Sequence, residues 1–261
     1  MLKQIVPLIL TYNEAPNLDR TLQKLTWAKE IIVIDSYSED ATLEILQRYP
    51  QVKVFQRKFD THANQWNFGL QQIRAPWVLS LDADYVLTDE LIAEMQSLST
   101  ISNIDGYFIK LQFCVFGKPL RGSILPPRQA LFRCDRAIYI DDGHTQLLQV
   151  KGQSAQLNAP IHHDDRKPLT RWFWAQDRYM IIETEKLMNT PVSELSFGDR
   201  LRKQTLIAPF VVLLYCLILK GGILDGWQGW YYAFQRMLAE ILLTIRLIEA
   251  QKMTQSRREI C

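Results

Sequence analysis

From residue 5 to residue 82, short apolar runs alternate with segments in which apolar residues recur every three or four positions. A buried-strand pattern followed by a helical one, repeated in this way, describes parallel βαβ units. The strand-like runs are Val6 to Leu10, Glu30 to Asp35, Val52 to Phe55 and Trp77 to Leu81. A first helical pattern opens at Asn17, with Leu18, Thr21, Leu22 and Leu25 on one face; two more run from Ser38 to Tyr49 and from Asn64 to Ile73. Open parallel sheets hold their ligands beyond the carboxyl ends of the strands. Those exits are polar here: Thr11, Asn13 and Glu14 follow the first strand, Asp35 and Ser36 close the second, and Asp82-Ala83-Asp84 follows the fourth. No glycine-rich dinucleotide or P-loop fingerprint occurs, which argues against either of those sites.

From about Gly106 to Pro160 the signals change to short strands separated by Gly and Pro, as in Tyr107 to Leu111 and Ala137 to Ile140. This predicts a more antiparallel half that closes one side of the site. The pattern turns helical near Pro168. The expected layout is a domain over residues 1–167, with a nucleotide-binding half to about residue 105 and an acceptor half over 106–167, followed by a helical region over 168–261. At 261 residues, 48% hydrophobic and 22% charged, the chain supports one large core plus that appendage and excludes disordered, collagenous and coiled-coil classes. A net charge of +2 is too balanced for a nucleic-acid partner. The cysteines at 114, 134, 216 and 261 are too widely spaced for a zinc pair and read as free thiols of a reducing compartment. The opening apolar run breaks at Pro7 and has no cleavage site, so it reads as the first strand of a cytoplasmic chain, not a signal peptide.

Asp82 and Asp84 after a buried strand are a compact pair of oxygen ligands of the kind that binds Mg²⁺ or Mn²⁺ together with substrate phosphate, although such a pair also serves as a solvated turn. The wider context is more telling. Leu10 to Glu14, Ile34 to Thr42, Gln65 to Leu70 and Trp77 to Asp84, in that order, resemble the inverting family 2 glycosyltransferases of GT-A fold. Ile161-His162-His163-Asp164 and Gly221 to Gly226 are similar to the branch that includes lipopolysaccharide-core glucosyltransferases. The resemblance implies an α/β fold with a Rossmann-like mixed sheet flanked by helices, and a sugar donor, probed first as a UDP-hexose. Thr11, Asn13, Glu14, Asp35, Gln65, Asn67 and Asp82 would lie around that donor. It implies Mn²⁺ or Mg²⁺ on Asp82 and Asp84, with His163 either a further ligand or a polar loop contact.

Inversion needs a general base on the acceptor side. Within Tyr139 to Thr145 the candidates are Asp142, then Asp141, with His144 as orienter; a simple turn before Gly143 is the other reading. Two positions depart from the family pattern: His144 is followed by Thr145 where relatives tend to have Glu, and Tyr85 stands where Glu is common. Two rival functions stay open, a sugar-nucleotide pyrophosphorylase-like nucleotidyltransferase and a non-catalytic membrane-surface adaptor. The first lacks its Gly-rich basic loop after strand one.

The C-terminal third is distinctive in charge. Residues 166–261 carry 14 basic and 9 acidic side chains, against 16 and 19 in residues 1–165. Leu206 to Leu219 is uncharged but, at about 1.5 Å per residue, too short as a helix for a bilayer core of about 30 Å. From Trp227 to Ile248 the apolar positions 227, 230, 231, 234, 238, 241, 242, 245 and 248 keep a helical period. Such a helix either caps the core or lies in a membrane interface, and the basic balance favours the interface. The expected partners are thus a nucleotide-sugar donor, a cell-envelope glycan or lipid-linked acceptor, and peripheral contact with the cytoplasmic face of the inner membrane.

Overall fold

A computed structural model of the chain describes residues 1–99, 103–121, 123–142, 145–204 and 206–260. It divides into two compact units, one of residues 1–119 and 125–167, the other of residues 120–124 and everything from Pro168 on. The first unit opens with β1 (Ile5–Thr11), α1 (Ala15–Gln23), β2 (Ile31–Asp35), α2 (Thr42–Leu46), β3 (Val52–Gln56), α3 (His62–Gln71) and β4 (Trp77–Asp82). Then follow β5 (Tyr85–Leu87), α4 (Asp89–Ser97), β6 (Ile104–Ile109), β7 (Leu111–Val115), β8 (Lys118–Pro119) and β9 (Arg128–Arg133). It closes with β10 (Ala137–Asp142), β11 (Thr145–Val150), β12 (Gln153–Gln156) and β13 (Ile161–His163).

The main sheet has seven strands in the order β12-β6-β9-β4-β1-β2-β3. β1 lies parallel to both β2 and β4, and β2 parallel to β3, as βαβ units require. β9 runs antiparallel to β4 and β6, the expected mixed half. A four-stranded sheet, β5-β13-β7-β8, and the hairpin β10-β11 complete the unit. Alternate residues of the central strands feed opposite faces: Ile5, Ile9, Ile31 and Val33 pack with α1, whereas Val6, Leu8, Ile32 and Ile34 pack with Trp66 of α3.

Three helix starts differ from the periodicity, that of α3 by opening at His62 instead of Asn64. α1 opens at Ala15, two residues before Asn17, because Pro16 suits the first turn. α2 is only Thr42–Leu46, not Ser38 to Tyr49. The reason is local competition for hydrogen bonds: Ser38 Oγ accepts from the Asn13 N–H at 2.9 Å, and Asp40 accepts from the N–H groups of Ala15 and Thr42. These side chains tie the two loops together instead of starting a helix. Thr61 and Thr88 cap α3 and α4 through their hydroxyls. Of the cysteines, Cys114 and Cys216 are buried as expected and Cys134 is half-buried; Cys261 lies outside the described residues.

The second unit contains α5 (Leu169–Asn189), α6 (Phe197–Lys203), α7 (Ala208–Leu214) and α8 (Trp227–Ile260). Leu187, Leu195, Leu243 and Leu247 form its core. The apolar run from Leu206 does not make one helix: α7 passes into a π-helical turn over Tyr215–Leu219, and a 3₁₀ turn follows at Gly222–Asp225. Among the described residues no helix is long and apolar enough to cross a membrane. The stripe expected on α8 is largely uncovered, with Trp227, Phe234 and Ile245 more than half exposed. The buried face is a different one, with Tyr232, Ala233, Ala239, Leu243 and Leu247. Tyr231, Leu238, Ile241 and Leu242 of the stripe are half-buried.

Residues 120–124, lying between β8 and β9, are bound into this second unit. Asp225, 3% exposed, accepts from the Arg121 N–H at 2.8 Å, and the Tyr232 hydroxyl accepts from the Ile124 N–H at 3.3 Å. The glycines around Asp225 permit that clasp: a Cβ on Gly229 would stand 1.8 Å from the Gly222 carbonyl oxygen. Gly229→Ala is expected to destabilise the chain by about 1–3 kcal/mol through overpacking against backbone. Gly198→Ala, whose added Cβ meets nothing closer than 3.9 Å, is expected to be neutral or mildly stabilising. Urea unfolding of the two variants beside the wild type checks both.

Candidate active site

The strand register brings the polar exits together. Thr11 pairs with Asp35 across β1 and β2, and Leu10 with Asp82 across β1 and β4. Asp35 is fully buried, and both of its oxygens are engaged: Thr11 and Ser38 hydroxyls donate to Oδ1 at 3.0 and 2.6 Å, and the Ser38 N–H and Gln56 amide donate to Oδ2. Asn13 sits in the left-handed region at φ 55°, which Asn tolerates, and its side chain accepts from the Glu39 N–H. Gln65, 1% exposed, donates to Ser36 Oγ and the Arg57 carbonyl while accepting from Arg57. Thr11, Asp35 and Gln65 thus form the frame of the loops, and the neighbouring Tyr12 and Tyr37 rings are about half exposed.

Asn67 has an equally definite role. Its amide donates to the Tyr139 carbonyl at 2.8 Å and accepts from the Tyr139 N–H at 2.9 Å, so it pins the hairpin β10-β11 to α3. The Tyr139 ring stacks on Trp66 at 5.3 Å. Strand alternation puts Asp141 on the same face as Tyr139, and Asp141 itself is exposed. With its amide oriented so that the oxygen faces both donors, its cross-strand partner Gln146 accepts from Trp66 Nε1 at 3.2 Å and from Arg128 at 2.9 Å. Asp142 ends β10; its side chain, like His144, lies outside the described residues.

The two acidic residues that follow the interior of β4 have different partners. Asp82 accepts from Arg128 at 2.7 Å, and the Arg128 guanidinium also lies over the rings of Trp66 and Tyr85. Asp84 is 8% exposed, and its Oδ2 lies 3.1 Å from His163 Nε2. Burial acts against the Asp84 carboxylate, yet His163 and Lys167 outweigh it and hold its pKa at about 2. The same pairing raises His163 above its ordinary value against the opposing effect of burial. Among the described residues, Asp84 Oδ1 and His163 Nδ1 are buried here without a hydrogen-bond partner.

Beside this pair, Glu14 meets Lys167 at 2.6 Å and accepts from the Asn17 amide at 2.9 Å. Burial pushes the Glu14 carboxyl up to about 7 despite Lys167. Asn17, with no exposed surface, also donates to Asp165 and accepts from the Arg166 N–H. Asp164 is bound by Arg20 and Arg166. The segment after β13 is therefore clamped onto α1, and Glu14 belongs to that clamp.

Asp82, Asp84 and His163 are not gathered into one ligand cluster; among the described residues no group of three His, Cys, Asp or Glu side chains is arranged to hold a metal ion. Arg128 draws Asp82 one way and His163 pairs with Asp84 instead of standing beside both carboxylates. A hard divalent cation nevertheless fits the two carboxylates chemically, since Asp84 offers a buried oxygen with no donor. Arg128, Lys167 and Asn17 escaped the sequence reading. The only signal for them is position, Arg128 opening a strand and Lys167 closing the segment after His162-His163.

Residues 8–121 match the model of the family described as Glycosyl transferase family 2. A stretch of 106 residues is 32% identical to an uncharacterised glycosyltransferase of Rickettsia bellii (strain RML369-C), spanning 40% of this chain and 36% of that protein. Over 98 residues the chain is 30% identical to the lipopolysaccharide core biosynthesis glycosyltransferase LpsC of Rhizobium meliloti (strain 1021), spanning 35% of this chain and 36% of that protein. Among solved structures, the mannosyltransferase PcManGT of Pyrobaculum calidifontis, in complex with GDP-Man and Mn²⁺, is similar at a TM-score of 0.54 and 13% identity, over 94% of this chain and 87% of that one. TarS 1–349 of S. aureus in complex with UDP-GlcNAc has a TM-score of 0.50 and 16% identity, over 91% and 81%. The likeness to these structures is one of fold, a mixed α/β sheet of the GT-A kind.

The His163–Asp84 pair has a definite pH signature in the metal-free protein. A histidine raised by its partner contributes fully below its unfolded value of 6.5, and the contribution is lost as pH rises through the higher folded value. The Asp84 contribution is present above 3.8 and lost as pH falls towards about 2. The stability difference between wild type and His163→Gln is thus expected to be larger at pH 6 than at pH 9. Urea titrations at both values in the presence of a chelator measure it; a difference that grows with pH refutes the pairing.

Proposed function

From the match of residues 8–121 to the Glycosyl transferase family 2 model, we propose that this chain is an inverting transferase that moves a sugar from a nucleoside diphosphate to a cell-envelope glycan or glycolipid. The first donors to examine are UDP-hexoses. The observation that carries the reading is the Asp82 and Asp84 carboxylates at the outlet of β4, with Asp84 Oδ1 buried and unmatched by any donor. Asp82 and Asp84 would hold Mn²⁺ or Mg²⁺, which when bound neutralises charge on the diphosphate. The protein side of the work follows from the geometry. Arg128 beside Asp82 orients that carboxylate. The loops after β1 and β2, set by the Asp35 hydrogen bonds, present the exposed Tyr12 and Tyr37 rings and the Asn13 backbone towards the base and ribose.

The acceptor proton goes to Asp141 in this reading, ahead of Asp142. Asp141 is exposed, shares the face of β10 that carries Tyr139, and stands opposite Gln146, whose amide touches Arg128 beside Asp82. A carboxylate on this face of the hairpin would accept the proton as the new glycosidic bond forms and the diphosphate leaves from the opposite face. The chain would work at the cytoplasmic face of the inner membrane, held there peripherally.

Donor hydrolysis with UDP-, GDP- and TDP-sugars, with and without Mn²⁺, tests the proposal. Metal-dependent turnover of one donor class is expected, and Asp84→Asn is expected to abolish it while leaving the circular dichroism spectrum unchanged. Full activity in that variant, or a wild-type rate without metal, removes the metal role. Asp141→Asn should lower transfer by about 10²–10⁴-fold and Asp142→Asn by far less. The reverse order returns the base to Asp142.

A further inference from the structure

In the second unit the apolar surface stands outside the core. Phe210, Leu214, Ile218, Leu219, Leu224 and Trp227 are each 55–77% exposed. They come from consecutive short elements, α7, the π-helical turn, the 3₁₀ turn and the start of α8. Trp230 and Phe234 continue the same surface along α8, their rings 5.5 Å apart. Single exposed apolar residues are ordinary, but a dense run of them over so few residues marks an interaction site.

Along this stretch of sequence basic residues predominate, and Arg202 among them pairs with Glu183, Asp199 and Glu240 from outside it. Over residues 200–239 the only acidic residue is Asp225, and it is buried under the Arg121 N–H. Arg200 and Lys203 donate to backbone carbonyls, and Lys220 lies 5.5 Å from the Tyr215 ring centroid, so none of the three is matched with a carboxylate there. A second copy of the chain docking through this face about a two-fold axis would set these cations against their own kind. An anionic lipid surface complements them, and aromatic rings flanked by Lys and Arg are what the headgroup boundary accommodates. No described helix is long and apolar enough to span, which leaves insertion from one side.

We infer that residues 206–234 form a membrane-docking surface that sinks Leu219, Leu224 and their neighbours into one leaflet of a bilayer carrying anionic lipid. This deepens the reading of an envelope-directed transferase and names the partner that reading requires. Docking is measured without any transfer, so either conclusion can fail alone.

The experiment is flotation of the full chain, without detergent, on vesicles of phosphatidylcholine alone and of phosphatidylcholine with phosphatidylglycerol. Strong binding to the anionic vesicles and weaker binding to the neutral ones is expected. High salt should weaken the former without abolishing it, because the apolar contribution remains. Leu219→Glu with Leu224→Glu should reduce binding at least about tenfold. Both side chains are exposed, so the melting temperature and circular dichroism should not move. Lys220→Gln should reduce binding about fivefold on anionic vesicles and leave neutral ones unaffected. A wild-type chain that stays soluble and ignores both vesicle types overturns the inference. So does a dimer, broken by the paired glutamates, that binds no vesicles, since a second copy is then the occupant.

Discussion

The parallel register of three strands is what everything at the site depends on. Because β1 pairs with β4 on one side and β2 on the other, residues 11, 35 and 82 reach one end of the sheet at neighbouring positions although they are far apart in sequence. A shift of one residue in either pairing would exchange the side chains that pack against α1 with those that pack against α3. The core residues of β1 therefore fix where Asp82 stands: Ile5 and Ile9 bury on one face, and Val6 and Leu8 on the other. The chemistry at the strand outlets is held in place by the packing behind it.

Placing so many carboxylates at one edge creates a second requirement, that each have its own partner, whether buried or, like Asp82, partly exposed. Asp82 has Arg128, Asp84 has His163, Glu14 has Lys167, and Asp164 has Arg20 and Arg166. Asp35 is satisfied by hydroxyl, amide and backbone donors alone. Breaking a buried pair costs far more than the pair contributes in net stability, so the arrangement favours one geometry over alternatives. The exception is Asp84, which keeps one buried oxygen without a donor.

What the sequence revealed follows the range of the interactions concerned. The strands and the Asp-Ala-Asp outlet were legible because a buried strand is a local apolar run ending in polar residues. The start of α2 was not, since Ser38 and Asp40 are engaged by a loop some 25 residues earlier. Arg128 is 46 residues from Asp82, and only the antiparallel register of β9 on β4 brings the two level. Lys167 is 153 residues from Glu14, joined by the turn after β13. Asn67 was legible as a polar residue in a motif, but its use on both sides of the Tyr139 peptide was not. On α8 the apolar stripe was plain in the sequence, whereas its exposure depended on which other face met α5.

The clasp on residues 120–124 also has a meaning in time. Their hydrogen-bond partners, Asp225 and Tyr232, are made 104 and 108 residues after Arg121 and Ile124. At about 5–20 residues per second, a ribosome delivers those partners several seconds after the strap has emerged. In that interval β9, which follows the strap and carries Arg128, joins a sheet whose incoming loop is not yet anchored. The strap that leads into β9 thus stays without these two hydrogen bonds until the start of α8 has been made.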